Sequence, residues 1–347
     1  MGHPGLLARQ LSLVFNRAGA RTGIGAARLT GLIAPTVATL LAGNKAPQFL
    51  PALAYGNRSV YGEEETDRFL RLREHMMTTT RPLALVTGAS SGIGKEAALA
   101  LVAAGFDVVG TSRDSSRVTP LDGVTFLDLD VARDASVTAA VQEVIERFGR
   151  IDVLVNNAGV GSLGAAEETS VAQAQAVFDT NVFGVMRMVN EVLPHMRAQG
   201  RGRIINISSV LGFTPQPYMA VYAASKHAIE GYSESLDHEV REHGVRALLV
   251  QPAYTRTGFE ANSAKPDTPL HAYAKRRQTV DRLMAEAIRD GDAPAVVAKA
   301  IVAAATDAKP KLRYTAGPMA GRVSTLRRLV PARAFDKQIR KINRLAA

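Results

Sequence analysis

The stretch Leu83-Ala84-Leu85-Val86-Thr87-Gly88-Ala89-Ser90-Ser91-Gly92-Ile93-Gly94 decides how the rest of the chain is read. Four apolar residues, 83–86, make a short strand. Glycines at 88, 92 and 94 follow at once, and an Ala/Leu-rich run from about 95 to 104 reads as a helix that Gly105 stops. A strand that turns through closely spaced glycines into a helix lets the backbone approach a pyrophosphate and offers it the amide donors of a helix N-terminus. Thr87, Gly88, Ser90, Ser91, Gly92, Ile93 and Gly94 are therefore candidate dinucleotide contacts; an ordinary strand-to-helix turn is the competing reading. No Gly-Lys-Ser/Thr ending follows, so this is not the phosphate loop of nucleotide hydrolases, and the run contains no nucleophile elbow.

The same alternation continues outward. Compact apolar runs at 107–111, 124–127, 151–155, 203–208, 245–250 and 311–316 predict strands. Longer amphipathic runs at 135–148, 172–196, 223–242, 273–288 and 296–305 predict helices. Strands alternating with helices of this length predict an α/β fold: a Rossmann-like doubly wound, mostly parallel sheet with helices on both faces.

Composition narrows the chemistry. The 347 residues are 46% hydrophobic, enough for a sizeable core, and contain no cysteine, which excludes disulfides, thiolate metal sites and cysteine nucleophiles. The seven scattered histidines suggest no metal cluster. The net charge of +10 is confined to the C-terminal end: residues 309–347 hold eleven Lys and Arg and one acid, and the other 308 residues are formally neutral. A neutral body without a zinc-finger, RNP-like or basic-zipper pattern argues against a nucleic-acid partner.

Three regions follow. Residues 1–80 read as an N-terminal extension, either a disordered or peripheral arm or the product of an upstream start, since Met77 would open a natural 271-residue chain. Within it, 29–42 is apolar but broken by Gly31 and Pro35 and too short to span a bilayer, and Glu63–Asp67 could open a short helix through Arg73. Residues 81–320 form the dinucleotide-binding catalytic domain, with a lid around 258–290 in which Phe259, Leu270, Val280, Leu283, Met284 and Ile288 are the apolar positions. Phe213, Pro215, Pro217 and Met219 offer a second apolar wall, suited to a lipophilic carbonyl or alcohol. Residues 321–347 form a basic amphipathic tail that either covers the protein's own apolar surface or touches an anionic membrane; cytoplasmic residence, with or without peripheral membrane contact, is the expectation.

Two further features bear on chemistry. Tyr222 and Lys226 stand four apart; where one helix includes both they share a face, and a lysine cation there would stabilise a phenolate, lower its pKa and prepare a proton-transfer group, although such a pair by itself is commonly surface decoration. At the end of the second strand, Thr111-Ser112-Arg113 lacks the terminal acid that would receive a ribose 2′-hydroxyl; Ser112 and Arg113 instead suit a 2′-phosphate, which favours NADP(H) over NAD(H).

Taken together, Thr87–Gly94, Asn156-Asn157-Ala158-Gly159, Asn181, Ser209, Tyr222, Lys226 and Pro252–Thr257 resemble the motifs of the classical short-chain dehydrogenase/reductase family over about 81–320. Ala253 departs from the glycine usual in the last of these motifs. The resemblance implies that Asn181, Ser209, Tyr222 and Lys226 form the catalytic set. Tyr222 would be the acid/base, Ser209 would hold the substrate oxygen, Lys226 would also bind the nicotinamide ribose, and Asn181 would hold a water linked to Lys226. The serine is chosen over Ser208 because the family separates serine and tyrosine by thirteen positions. The resemblance also implies cofactor contacts at Asp130 and Val131, with Asp128 in a competing register, and at Asn157, Ala158, Gly159, Pro252 and Thr257. It suggests a homo-oligomer of unassigned order. The expected activity is NADP(H)-dependent interconversion of a carbonyl and an alcohol. The alternatives are an isomerase or dehydratase on the same fold, or an idle NADP(H)-binding scaffold or peripheral-membrane interaction protein.

Overall fold

Leu83–Val86, all four residues buried on both faces, form β1 at the middle of a seven-stranded sheet. A strand covered on both sides has no polar alternation to display, which is why it reads as an unbroken apolar run. The computed structural model describes residues 81–259 and 261–345; the predicted features of residues 1–80 lie outside them.

The remaining strands are β2 (Asp107–Ser112), β3 (Val124–Asp128), β4 (Val153–Asn156), β5 (Gly202–Ile207), β6 (Val245–Pro252) and β7 (Arg313–Ala316). Their order is β3-β2-β1-β4-β5-β6-β7 and every pairing is parallel. The strand order reverses between β1 and β4, so their C-terminal ends open a crevice there.

Helices cover both faces. Helices α1 (Gly92–Ala103), α2 (Asp134–Phe148), α3 (Val171–Phe178), α4 (Gly184–Gln199), α5 (Ala220–Val240), α6 (Ala274–Arg289), α7 (Pro294–Thr306), α8 (Pro318–Leu329) and α9 (Ala332–Ile342) follow in chain order. One apolar layer joins the sheet to α2, α4 and α5 through Val141, Met188, Val192, Ile229 and Leu236. The other joins it to α1 and α7 through Ala97, Leu101, Val297 and Ile301.

Three expectations are corrected. The first helix begins at Gly92 rather than 95, so the last two glycines of the opening motif are its first turn. The run predicted as one helix over 172–196 is two, α3 and α4, separated by a π turn at Asp179–Phe183. Helix α8 runs from 318 to 329 across the 320/321 boundary drawn between domain and tail, because Pro318 supplies a favourable first-turn residue after Gly317.

A buried carboxylate fastens α5 to the sheet. Asp237 is fully buried and accepts from the guanidinium groups of Arg241 and Arg246 and from the Ala247 amide at 3.0 Å. Burial pushes its pKa up, but these donors outweigh burial and hold it below the ordinary value of 3.8. The ion pair therefore contributes stability above that value and loses it as pH falls below it. Asp237→Asn should cost about 3 kcal/mol in chemical denaturation at neutral pH, and the difference from wild type should shrink on acidification below about pH 4.

Candidate active site

Two loops meet at the reversal of strand order. After β1, Gly88 and Gly92 hold φ angles of +65° and +54°, which L residues rarely adopt. A Cβ at Gly94 would stand 2.2 Å from the Gly88 carbonyl oxygen and 2.5 Å from Asn157 Nδ2. After β4, Asn157 Nδ2 donates to the carbonyls of Thr87 and Gly88 at 2.9 and 3.0 Å, while Thr87 Oγ1 accepts from the Asn157 and Ala158 amides at 3.0 Å each. Asn157 and Ala158 thus shape the glycine loop itself.

The loop opens α1 in a form that suits an anion. Ser91 makes no side-chain capping bond and the first turn carries no acid, so its amide donors face neither an intrahelical substitute nor a competing charge. Ser90 and Ser91 are exposed and Ile93 is half-buried. Thr257, five residues beyond Pro252 at the end of β6, lies 3.3 Å from the Cβ position of Gly92 and so borders the same loop.

Beside it lies an open cleft of about 600 Å³ lined by Ser90, Ser112, Arg113, Asp114, Arg117, Val118 and Thr119. Asp114 is engaged with the Ser116 amide at 3.2 Å and Arg117 at 3.9 Å. Asp128 accepts from the Ser115 amide at 2.7 Å, tying β3 to the loop after β2. Asp130 forms the turn into α2, its carboxylate accepting from the Ala132 amide and its own amide donating to Ser136 Oγ, both at 3.0 Å. Val131 is buried against Gly184. A nicotinamide dinucleotide fits this framework: the cradle, which a Cβ at Gly94 would fill, would hold its pyrophosphate, and the β2–β3 loops would hold its adenosine end.

The residues expected to transfer a proton lie on α5. Tyr222 and Lys226 are both buried on α5, with Nζ 5.6 Å from the Tyr222 ring centroid and donating to the Ile207 carbonyl at 2.8 Å. Ser209 follows β5 by two residues; its side chain hydrogen-bonds Tyr222 and accepts from the Leu211 amide at 3.1 Å. Asn181 is turned inward by the π turn. Its Oδ1 accepts from the Val160 amide at 2.8 Å and its Nδ2 donates to the Val160 carbonyl at 2.9 Å and to Ser225 Oγ at 3.1 Å. A Cβ at Gly159 would be 3.2 Å from Asn181 Oδ1 and 3.9 Å from Lys226 Nζ, so Gly159 separates the two.

Burial governs the titration of the pair. It pushes Tyr222 well above the ordinary phenol range, with the Ser209 hydrogen bond opposing it. It pushes Lys226 down to about 8, with the Glu230 carboxylate opposing it. Lys226 was expected to lower the tyrosine's pKa; burial of the phenol sets the direction of its shift instead. Near neutral pH the phenol carries its proton and Lys226 is largely cationic.

Glu230 escaped the sequence reading. It is buried one turn beyond Lys226, accepts from Gln251 Nε2 at 2.9 Å and Arg313 Nε at 3.0 Å, and shares Arg313 with Glu234 at 2.9 Å. Its spacing of four from Lys226 was a usable signal; the arrival of Arg313 from β7 was not.

The lid region packs over Tyr222. Phe259 meets the Tyr222 ring edge-on at 5.3 Å, and Leu163, Leu211, Met219 and Met284 form one apolar cluster with it. Outside this cluster lies a cavity of about 220 Å³ bordered by Leu163, Gly164, Tyr218, Lys265, Pro266, Pro269, Arg277, Val280 and Asp281. Tyr218 adopts a left-handed φ of +66° there. Leu270 is 38% exposed and gives its backbone amide to Glu168 at 2.8 Å. Glu168 is fully buried and also accepts from the Ala165 amide and from Arg277 of α6.

Residues 82–268 match the family model described as short chain dehydrogenase. The chain belongs to the short-chain dehydrogenase family. It is 40% identical over 237 residues to a 3-ketodihydrosphingosine reductase of Bacteroides thetaiotaomicron, covering 68% of this chain and 87% of that protein. A short-chain dehydrogenase from Streptomyces avermitilis is similar in structure, with TM-score 0.65 and 34% identity over 77% of this chain and 98% of that one. A short-chain dehydrogenase/reductase from Burkholderia phymatum, solved in complex with NAD, gives TM-score 0.63 and 28% identity over 74% and 95% of the two chains. The protein is an oxidoreductase of this family, with the fold that its sequence indicated.

If Lys226 must be cationic for turnover, kcat should fall as pH rises through about 8. Glu230→Gln removes the carboxylate that favours the ammonium form, so the break in the pH–rate profile should move to lower pH. An unmoved break would exclude Glu230 from the proton-transfer machinery.

Proposed function

We propose that the protein reduces a carbonyl group on a lipophilic substrate, using NADPH, with Tyr222 as the proton donor. The observation that carries this reading is the buried Tyr222, next to Ser209, beside Lys226 and inside an apolar cluster. A bound reduced nicotinamide supplies the hydride. Ser209 holds the carbonyl oxygen and Tyr222 gives that oxygen its proton. The Lys226 ammonium, fixed by the Ile207 carbonyl and facing Glu230, stabilises the phenolate left behind. Leu163, Met219, Phe259 and Met284 keep water from the reacting oxygen.

The substrate class rests on that apolar surround, and the name of the Bacteroides relative denotes reduction of a keto group on a long-chain base. The preference for NADPH rests on Ser112 and Arg113 lining the cleft at the end of β2, where no acid takes the terminal position.

Tyr222→Phe should lower kcat for reduction of a long-chain ketone by about 100- to 10,000-fold while leaving dinucleotide affinity intact, measured by loss of NADPH absorbance and by cofactor titration. Retained turnover would sink the proton-donor assignment. Arg113→Ala should raise the KM for NADPH by roughly tenfold to a hundredfold and leave that for NADH nearly unchanged. Equal losses with both cofactors would show that Arg113 does not read the 2′-phosphate.

A further inference from the structure

Helices α8 and α9 are fastened to the segment before α5 and to α6. Arg327 Nε of α8 donates to the Phe213 carbonyl at 3.1 Å, and its guanidinium lies 5.0 Å from the Phe335 ring of α9. Gln216 Nε2 donates to Asn343 Oδ1 at 2.6 Å, and Arg276 Nη1 of α6 donates to the Arg344 carbonyl at 2.8 Å. Phe213 and Gln216 belong to the segment that leads into Tyr222.

The inner side of α8 carries the fully buried Ala320; its other side is apolar and wet. Met319, Leu326 and Leu329 recur at helical spacing and are 49%, 51% and 76% exposed, with Arg322 on the same stripe. Ile342 at the end of α9 is 60% exposed. Arg328, Arg333, Lys337 and Lys341 are exposed around them. From 318 to 345 there are eight Lys and Arg and a single acid, Asp336.

We infer that this face docks on an anionic lipid surface. Exposed leucines ringed by cations match a bilayer boundary, which takes apolar side chains between headgroups and offers negative charge around them. A second copy of the chain would set this cationic face against its own kind in a two-fold contact, and like charges brought together disfavour that pairing. A nucleic acid would neutralise the cations and leave Leu326 and Leu329 in water. Docking by α8 sets Phe213 and Gln216, ahead of Tyr222, and Arg276 of α6 next to the phase in which a lipophilic substrate dissolves. That last consequence rests on the proposed function; the docking does not, and vesicle binding without substrate or cofactor tests it separately.

The experiment is flotation of the full chain with vesicles of phosphatidylcholine alone and of phosphatidylcholine mixed with phosphatidylglycerol. Wild type should float with the anionic vesicles, weakly or not at all with the neutral ones, and less as salt rises. The double variant Leu326→Glu/Leu329→Glu should lose at least about tenfold in partitioning, because two buried leucines and two repelled carboxylates act together. Both positions are more than half exposed, and an unchanged circular dichroism spectrum establishes that the variant folds. Absence of wild-type flotation, equal flotation with neutral vesicles, or undiminished flotation of the double variant would overturn the inference. So would sedimentation showing a dimer that the double variant abolishes while its vesicle binding matches wild type.

Discussion

The side chain of Asn157 bonded across to Thr87 and Gly88 is the constraint on which the site depends. Strands β1 and β4 are neighbours, yet the chain leaves them toward different halves of the sheet. Without a cross-link, the two loops would splay at the point where a ligand must be gripped. Asn157 and Thr87 each spend side-chain bonds on the other's backbone, and the result is a glycine turn of fixed shape against which Gly94 can approach as only a residue without Cβ can. The anion cradle is therefore a property of two loops, not of the glycine motif by itself.

Across the crevice, a series of polar side chains links Tyr222 to the last strand of the sheet. Tyr222 touches Ser209, Lys226 stands beside the tyrosine ring, Glu230 lies one turn further along α5, and Arg313 reaches Glu230 from β7. Each member would be costly to bury alone, and each is offset by the next. The phenol end of the series is uncharged and buried, while its other end, at Arg313 and Glu234, is partly exposed.

Most of this fold was legible because its signals are local. Each strand buried on both faces leaves an apolar run, and each glycine of the first loop marks a backbone demand that the sequence states outright. Tyr222 and Lys226 share a face by spacing alone. Three features stayed hidden because their causes are not local. Asp179–Phe183 has helix-compatible residues throughout, so the π turn that points Asn181 at Val160 leaves no mark in the pattern. The Glu230–Arg313 contact joins positions 83 residues apart. The upward push on Tyr222 depends on how completely Leu163, Met219 and Met284 enclose it, which only packing reveals.

Glu168 gathers its donors from its own turn at Ala165, from Leu270 and from Arg277 of α6, and its backbone carbonyl takes Thr268 as well. Lifting α6 away would strand a carboxylate that has no water at hand until the whole rim has parted. Such a fastening resists small excursions and yields only to a large one, so the rim should behave as a catch with two settings rather than as a spring. Substitution at position 168 or 277 should therefore loosen α6 without touching Tyr222, Ser209 or Lys226.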